Sequence, residues 1–254
     1  MDAPRPSGAW DRLERGALLL GLLGLALCLL GAIISRQQFF QSYLFAYVFW
    51  LGIALGCLGV VMLHNLSGGG WGDLIRQLVE SGMKTLPVMA LLFLPLAFGL
   101  HHLYEWARPE QVAQDPLLQH KAAYLNRTFF LVRTLIYFAL WIGAAVVIGR
   151  WSAESRAEPD GRAATRLRAV SAPGLVVYVL TITFASMDWI MSLEPHWYST
   201  IFGVHFLGGH ALAAFAFAII FAAVSMRRDQ AGPPPEQAHW LDLGNLLLGF
   251  VMLW

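Results

Sequence analysis

The sequence has little charge and almost no cysteine. Charged residues make up 13% of the chain, about half the share of roughly 25% found in soluble domains. The 17 basic and 16 acidic residues cannot cover a soluble surface when 57% of the chain is apolar. Only Cys28 and Cys57 occur, which excludes a small disulfide scaffold. The net charge of +1, without a basic block, argues against nucleic acid as a partner. These absences indicate an integral membrane protein.

Long apolar runs recur along the whole chain. A hydrocarbon core of about 30 Å needs roughly 20 apolar residues in a helix. The sequence therefore predicts an all-α, polytopic transmembrane helix bundle that follows a tail at residues 1–15 and forms one domain over residues 16–254. Its six full spans and incomplete seventh are expected at about 16–34, 42–64, 86–104, 129–151, 173–193, 200–226 and 241–254. Since the seventh run is too short to span, we expect the chain to be the N-terminal part of a longer protein.

The distribution of basic residues predicts the orientation. The tail and the connections on its side of the membrane carry twelve Arg and Lys residues, whereas the opposite side carries four. Cytoplasmic segments are enriched in these residues, so the tail is expected in the cytoplasm. The first run lacks an A-x-A-like cleavage site and is interpreted as an uncleaved anchor. We expect a multi-pass protein of the bacterial inner membrane.

Two ionisable residues interrupt the apolar spans. Arg133 lies roughly 6 Å inside the fourth span and Asp188 roughly 7 Å inside the fifth. Because these consecutive helices are antiparallel, the two side chains are expected at similar depth, where pairing offsets much of the desolvation cost. One interpretation is a structural ion pair that joins two helices. The other is a contact for a quinone headgroup or a station for proton transfer.

Further polar residues are expected at the same level of the membrane. His101 and His102 close the third span, and Glu194 and His196 lie in the connection after the fifth. Imidazole and carboxylate groups together suit proton uptake or release near neutral pH. The aromatic residues at this level, including a stripe of Tyr43, Tyr47 and Trp50, are typical of an interfacial belt. The candidate residues for quinone binding or proton transfer are His101, His102, Arg133, Asp188, Glu194 and His196, and no catalytic or metal-binding residue is assigned.

The chain offers no redox centre of its own. His205 and His210 lie about 140° apart around the sixth helix, and haem b between helices needs facing histidines at matched depth. Bis-histidine haem is therefore not predicted. No Cys-x-x-Cys motif occurs, which excludes covalent c-type haem and argues against iron–sulfur ligation. Haems and clusters, if used, are expected only in partner subunits.

Three stretches are more specific than generic membrane helix: residues 41–69, residues 93–106 and residues 183–203, of which the last reads TFASMDWIMSLEPHWYSTIFG. Together they resemble the large quinone-binding membrane subunits of bacterial alternative complex III, and the second of these two subunits most closely. These subunits are related to the polysulfide-reductase (NrfD-like) membrane subunits. The resemblance extends from about residue 36 to residue 209.

The resemblance implies a membrane subunit of a respiratory quinol:cytochrome c oxidoreductase. It implies menaquinone or ubiquinone as the quinone, and as partners a multihaem cytochrome c, an iron–sulfur protein, a related large membrane subunit and membrane lipid. The subunit would contribute to quinone binding, proton transfer or both. The alternatives are a non-catalytic scaffold in the same complex and a stand-alone ion transporter. The transporter is less favoured because transporter sites are typically mid-membrane.

Overall fold

The computed structural model describes residues 9–157, 162–228 and 237–254, and these residues form helices without strands. Residues 1–8 of the predicted tail lie outside the described residues, and the first helix already begins at Ala9. The α-helices of the described residues are α1 Ala9–Ile34, α2 Arg36–Ser67, α3 Gly70–Met83, α4 Leu86–Leu92, α5 Leu94–Phe98, α6 Leu100–Leu103, α7 Pro109–Gln114, α8 Pro116–Lys121, α9 Arg127–Ala157, α10 Arg162–Trp189, α11 Phe202–Arg228 and α12 Gln237–Leu253.

Six helical stretches are long and apolar enough to cross a membrane. They are Arg15–Ile34, Arg36–Ser67, Gly70–Phe98, Arg127–Arg156, Arg162–Leu193 and Phe202–Ser225. The fold is thus an all-helical bundle of the kind expected for a multi-pass membrane protein. The run expected as an incomplete seventh span forms α12, which has 17 residues and is not one of the six. Several helices extend beyond the expected spans, because helices continue past the apolar core into polar flanks.

The third expected span is broken into α4, α5 and α6. Pro87 and Pro95 lie in the first turns of α4 and α5, where proline is tolerated because its missing N–H has no intrahelical partner. The hydroxyls of Tyr43 and Tyr47 on α2 donate to the carbonyls of Leu92 and Met89 at 2.7 and 3.0 Å. Two of the broken helix's carbonyls therefore find donors on a neighbouring helix. Pro173, expected near a helix start, lies inside α10.

The segment after α2 differs most from the expectation, which placed a connection between residues 65 and 85. The chain turns at Gly68 and Gly69, whose φ values of 68° and 96° favour glycine, and then forms the 14-residue helix α3. Its buried face includes Ile75, Val79 and Met83. Since apolar and charged residues alternate at helical spacing here, α3 is amphipathic and forms a charged part of the stretch Gly70–Phe98.

The centre of the bundle is α2, which contacts α3, α4, α10 and α11. The closest approach is to α11, where the His210 ring lies on Gly52 and the His210 carbonyl occupies the space a side chain at Gly56 would need. Small residues four positions apart allow membrane helices to approach this closely. The packing of α3, α10 and α11 around α2 positions the polar residues described next.

Candidate functional site

A buried ion pair joins α9 to α10. The Arg133 guanidinium donates from Nε to Asp188 Oδ2 and from Nη2 to Asp188 Oδ1, both at 2.8 Å, and Asp188 is 0% exposed. Tyr137 donates its hydroxyl to Asp188 Oδ2 at 2.7 Å. The rings of Tyr124 and Phe129 lie 3.9 and 4.3 Å from the guanidinium carbon. The predicted pairing of Arg133 with Asp188 is confirmed, and we call the end of the bundle that holds it the Asp188 end.

The donors and acceptors of this pair are already engaged within the protein. Asp188 receives three hydrogen bonds, and the remaining Arg133 amine, Nη1, donates to the carbonyl of Tyr124 at 3.1 Å. A bidentate guanidinium–carboxylate contact is the most directional ion pair that proteins form. This geometry suits a fixed clamp between two helices. A headgroup would have to displace one of these donors to reach the carboxylate.

Hydrogen bonds between neutral side chains extend the clamp along the same two helices. The indole of Trp189 donates to Thr134 Oγ1 at 3.1 Å, and the indole of Trp141 donates to Thr181 Oγ1 at 2.8 Å. Tyr104 donates its hydroxyl to the carbonyl of Trp189 at 2.9 Å, at the last residue of α10, where helix carbonyls lack intrahelical donors. The α9–α10 interface is therefore polar at several successive turns.

His101 and His102 lie apart from the ion pair, on the short helix α6. Their rings are 3.8 Å apart, and His102 stacks on Phe40 of α2 at 5.0 Å. Burial, together with the nearby His101, Arg36 and Arg108, holds the pKa of His102 below its usual value. Its ring packs against α2 instead of joining Arg133 and Asp188.

Glu194 and His196 occupy the connection after α10. His196 Nε2 lies 2.7 Å from Asp115 Oδ2, and Asp115 also accepts the backbone N–H of Leu117 as the N-cap of α8. Burial alone would raise the pKa of the Asp115 carboxyl, but the hydrogen bonds from Leu117 and His196 hold it below its usual value. Glu194 is exposed, and its side chain has no partner among the described residues. The six candidates thus divide into the ion pair, the α6 histidines and this connection.

A second polar centre, absent from the candidates, surrounds Glu80 of α3. The Glu80 carboxylate, 3% exposed, receives Arg76 Nε at 2.9 Å, Arg156 Nη1 at 2.7 Å and the hydroxyl of Ser152. Arg76 Nη2 also donates to Ser152 Oγ at 2.9 Å. One buried carboxylate therefore lies between two guanidinium groups. These contacts tie α3 to α9, and we call this end of the bundle the Glu80 end.

The end of α2 completes this centre. Arg76 Nη2 donates to Asn65 Oδ1 at 3.2 Å, and Asn65 donates to Ser171 of α10 at 3.0 Å. His64 Nε2 lies 2.9 Å from the carbonyl of Gly69, and its Nδ1 lies 3.2 Å from Arg76 Nη1. Because a carbonyl only accepts, these contacts assign the Nε2–H tautomer. His64 and Asn65, in the last turn of α2, thus join the Glu80 centre to α2 and α10.

The sequence contained a signal for this centre. Arg76 and Glu80 are four residues apart, which is the spacing of a helical ion pair. Arg76 directly follows Ile75 and Glu80 directly follows Val79, and Ile75 and Val79 mark the buried face. The helical periodicity of residues 70–83 places Glu80 beside that face. Long apolar runs do not reveal Glu80, because the segment that contains it also contains Asp73 and Arg76.

His210 is the most isolated polar side chain in the described residues. It is 6% exposed, and neither of its ring nitrogens has a hydrogen-bond partner there. The ring packs on Phe206, with centroids 4.4 Å apart, and on Gly52 of the neighbouring helix. His205 faces elsewhere and stacks on Trp254. The expectation that the two histidines occupy different faces of α11 is confirmed.

An apolar cavity of about 700 Å³ lies between α1, α2 and α4. The aromatic stripe of Tyr43, Tyr47 and Trp50 lines one wall, and the rings of Tyr43 and Tyr47 are nearly parallel, with centroids 6.4 Å apart. The polar side chains Ser35, Gln38 and Ser42 also line the cavity, and no acidic or basic residue does. Ligand pockets typically measure about 300–1,000 Å³ and combine apolar walls with a few polar groups.

Comparison with known proteins gives no assignment. No protein-family model matches the chain, and no curated protein matches it.

Proposed function

We propose that this chain is a membrane subunit of a respiratory quinol:electron-acceptor oxidoreductase of the alternative complex III type, and that it binds a quinone. The observation that carries the proposal is the cavity between α1, α2 and α4, with its aromatic wall and uncharged polar groups. The sequence resemblance and the six apolar helices support the same proposal.

The chemistry of the cavity suits the two parts of a quinone. Aromatic faces stack on a planar ring, and the rings of Tyr43 and Tyr47 line the wall while their hydroxyls bond to carbonyls of α4. The Gln38 amide and the hydroxyls of Ser35 and Ser42 supply donors for quinone carbonyls. The remaining lining, which includes Leu27, Ile34 and Leu92, suits an isoprenoid tail. Because no carboxylate or imidazole lines the cavity, these residues bind and orient a quinone, and proton acceptance falls to other groups.

Two variants of similar bulk test the quinone site. Ala46 lines the cavity, so Ala46→Trp fills it, whereas Ala139→Trp adds the same side chain to the exposed surface of α9. Quinone that copurifies from native membranes is extracted and quantified by chromatography, and rebinding of a short-chain menaquinone or ubiquinone is titrated by tryptophan fluorescence. We expect Ala46→Trp to lose quinone while Ala139→Trp retains it. Equal retention by both variants would overturn the site.

Purification from native membranes in mild detergent tests the assignment to a complex. Copurifying chains are identified, and a reduced-minus-oxidised spectrum reports on haem. A multihaem cytochrome and an iron–sulfur protein are expected with the chain. A chain that elutes alone and colourless would overturn the assignment, and measurement of ion flux in liposomes would then follow.

A scaffold in the same complex is the second candidate, and the Arg133–Asp188 pair favours it. Every hydrogen-bonding atom described above for this pair is directed at another protein group. Ion pairs of this kind fix the register of helices without taking part in chemistry. If quinol-driven turnover of an assembled complex is unchanged in Asp188→Asn, the pair has no part in the reaction.

A further inference from the structure

A groove of about 360 Å³ runs between α9 and the junction of α3 with α4, at the Glu80 end of the bundle. It is distinct from the cavity proposed for quinone and shares no residue with it. Most of its wall is apolar, but two basic side chains line it. The residues that line the groove include Met83, Lys84, Pro87, Ile142, Val146 and Arg150.

The two basic residues of the groove are not neutralised by the protein. Lys84 and Arg150 are exposed, and neither has an ion-pair partner in the described parts of the chain. The carboxylate of Glu80 is already bound by Arg76 and Arg156. Glu154 lies one turn beyond Arg150 on α9, and the ion pairs of the described residues do not include one between these two side chains. The groove therefore carries two positive charges available to a ligand.

The charged and apolar parts of the groove are arranged along α9. Ile142, Val146 and Arg150 follow at intervals of four residues and so share a face of the helix. From Ile142 to Arg150 the helix rises about 12 Å, which is close to the thickness of one leaflet, half of a hydrocarbon core of about 30 Å. The cations thus lie at one end of an apolar path of the length of one leaflet.

We propose that this groove binds one anionic phospholipid, with the phosphate at Lys84 and Arg150 and an acyl chain along Ile142 and Val146. Basic pockets between membrane helices bind anionic headgroups by this combination of charge and apolar surface. A juxtamembrane cation contributes roughly fivefold to affinity. Removal of both cations is therefore expected to weaken binding by about 25-fold.

Native mass spectrometry of the full chain in detergent tests the charge requirement. Phosphatidylglycerol and phosphatidylcholine are titrated onto wild type, onto Lys84→Gln/Arg150→Gln, and onto the control Arg166→Gln/Arg168→Gln. The control removes two exposed cations of α10 that do not line the groove. We expect wild type and control to prefer phosphatidylglycerol, and the groove variant to lose that preference. The same loss in both double variants would overturn the proposal in favour of diffuse charge attraction.

A third variant separates a lipid from a soluble anion. Val146→Trp fills the apolar path without changing charge, so it is expected to weaken phosphatidylglycerol binding, and excess inorganic phosphate is expected not to displace the lipid. If Val146→Trp binds phosphatidylglycerol as wild type does, or inorganic phosphate displaces the lipid, the groove is not an acyl-chain site and the proposal fails. Elution profile and helical circular dichroism establish that each variant compared is folded.

Discussion

Loss of one partner of the Arg133–Asp188 pair should cost far more than loss of both. In Arg133→Met the Asp188 carboxylate, 0% exposed, loses two of its three hydrogen-bond donors and retains Tyr137. Removal of one partner from a buried ion pair typically costs about 3–5 kcal/mol, whereas an apolar replacement of both is often neutral. We therefore expect Arg133→Met to lower the free energy of unfolding by about 3–5 kcal/mol, which is more than the apolar replacement of both partners costs.

A double-mutant cycle gives the magnitude of the pair itself. Arg133→Met, Asp188→Leu and the double variant are unfolded thermally and by denaturant in mild detergent, with tryptophan fluorescence as the signal. The double variant should be more stable than either single variant, with a coupling energy of about 2 kcal/mol or more, at the upper part of the range for contacting residues. Arg127→Met, which removes an exposed cation from the start of the same helix, should change stability by less than about 0.5 kcal/mol. A coupling energy below about 1 kcal/mol, with the two single effects nearly additive, would refute the role of the pair as a clamp between α9 and α10.

Three further perturbations test other parts of the structure. Glu80→Gln should destabilise the bundle by about 1.5–3 kcal/mol, because the charge that holds Arg76 is lost, and the melting temperature in detergent reports it. Gly56→Ala should cost about 1–3 kcal/mol in the same assay, because the new methyl group collides with the His210 carbonyl. Asp115→Ala should speed amide exchange in residues 117–121 at pH 7, and this effect should shrink as the pH falls below the unfolded-state pKa of the carboxyl. The pKa of Asp115 is below its usual value, so its stabilisation is present above the unfolded-state pKa of about 3.9 and is lost as the pH falls further.

Matched changes serve as controls for these experiments. Glu154→Gln neutralises an exposed carboxylate of α9 and should change the free energy of unfolding by less than about 0.5 kcal/mol. Gly143→Ala adds the same methyl group where no atom lies within 4 Å, and it should be neutral or slightly stabilising. Destabilisation by either control equal to that of its test variant would mean that the named contact is not the cause.

The apolar spans and the principal ion pair could be predicted from the sequence. Hydrocarbon thickness sets the length of each span, and the cost of an isolated buried charge makes a partner for Arg133 or Asp188 necessary. The helix α3 could not be found by the same rule, because Asp73, Arg76 and Glu80 interrupt the run of apolar residues along its sequence. Its existence depends on packing against α2 and α11, which is information that apolar length does not contain.

The candidate site was predicted less completely than the fold. Membrane depth placed His101, His102, Glu194 and His196 at one level, but depth does not specify which way a side chain faces around its helix axis. The breaks after Leu92 and Phe98 change that direction for α6. The two histidine rings consequently contact each other, and His102 stacks on Phe40 of α2 instead of facing α9.

The length of α9 is constrained by what it binds at its two ends. Arg133 contacts α10 at the Asp188 end, whereas Ser152 and Arg156 contact α3 at the Glu80 end. An insertion or deletion of one residue between them rotates one end by 100° relative to the other and displaces it by about 1.5 Å. After such a change, α9 can keep the contacts at one end only by losing those at the other end. The exposed positions between residues 134 and 151 should therefore tolerate many apolar substitutions, whereas the number of residues in this stretch should stay fixed, because it sets the spacing between the two polar centres.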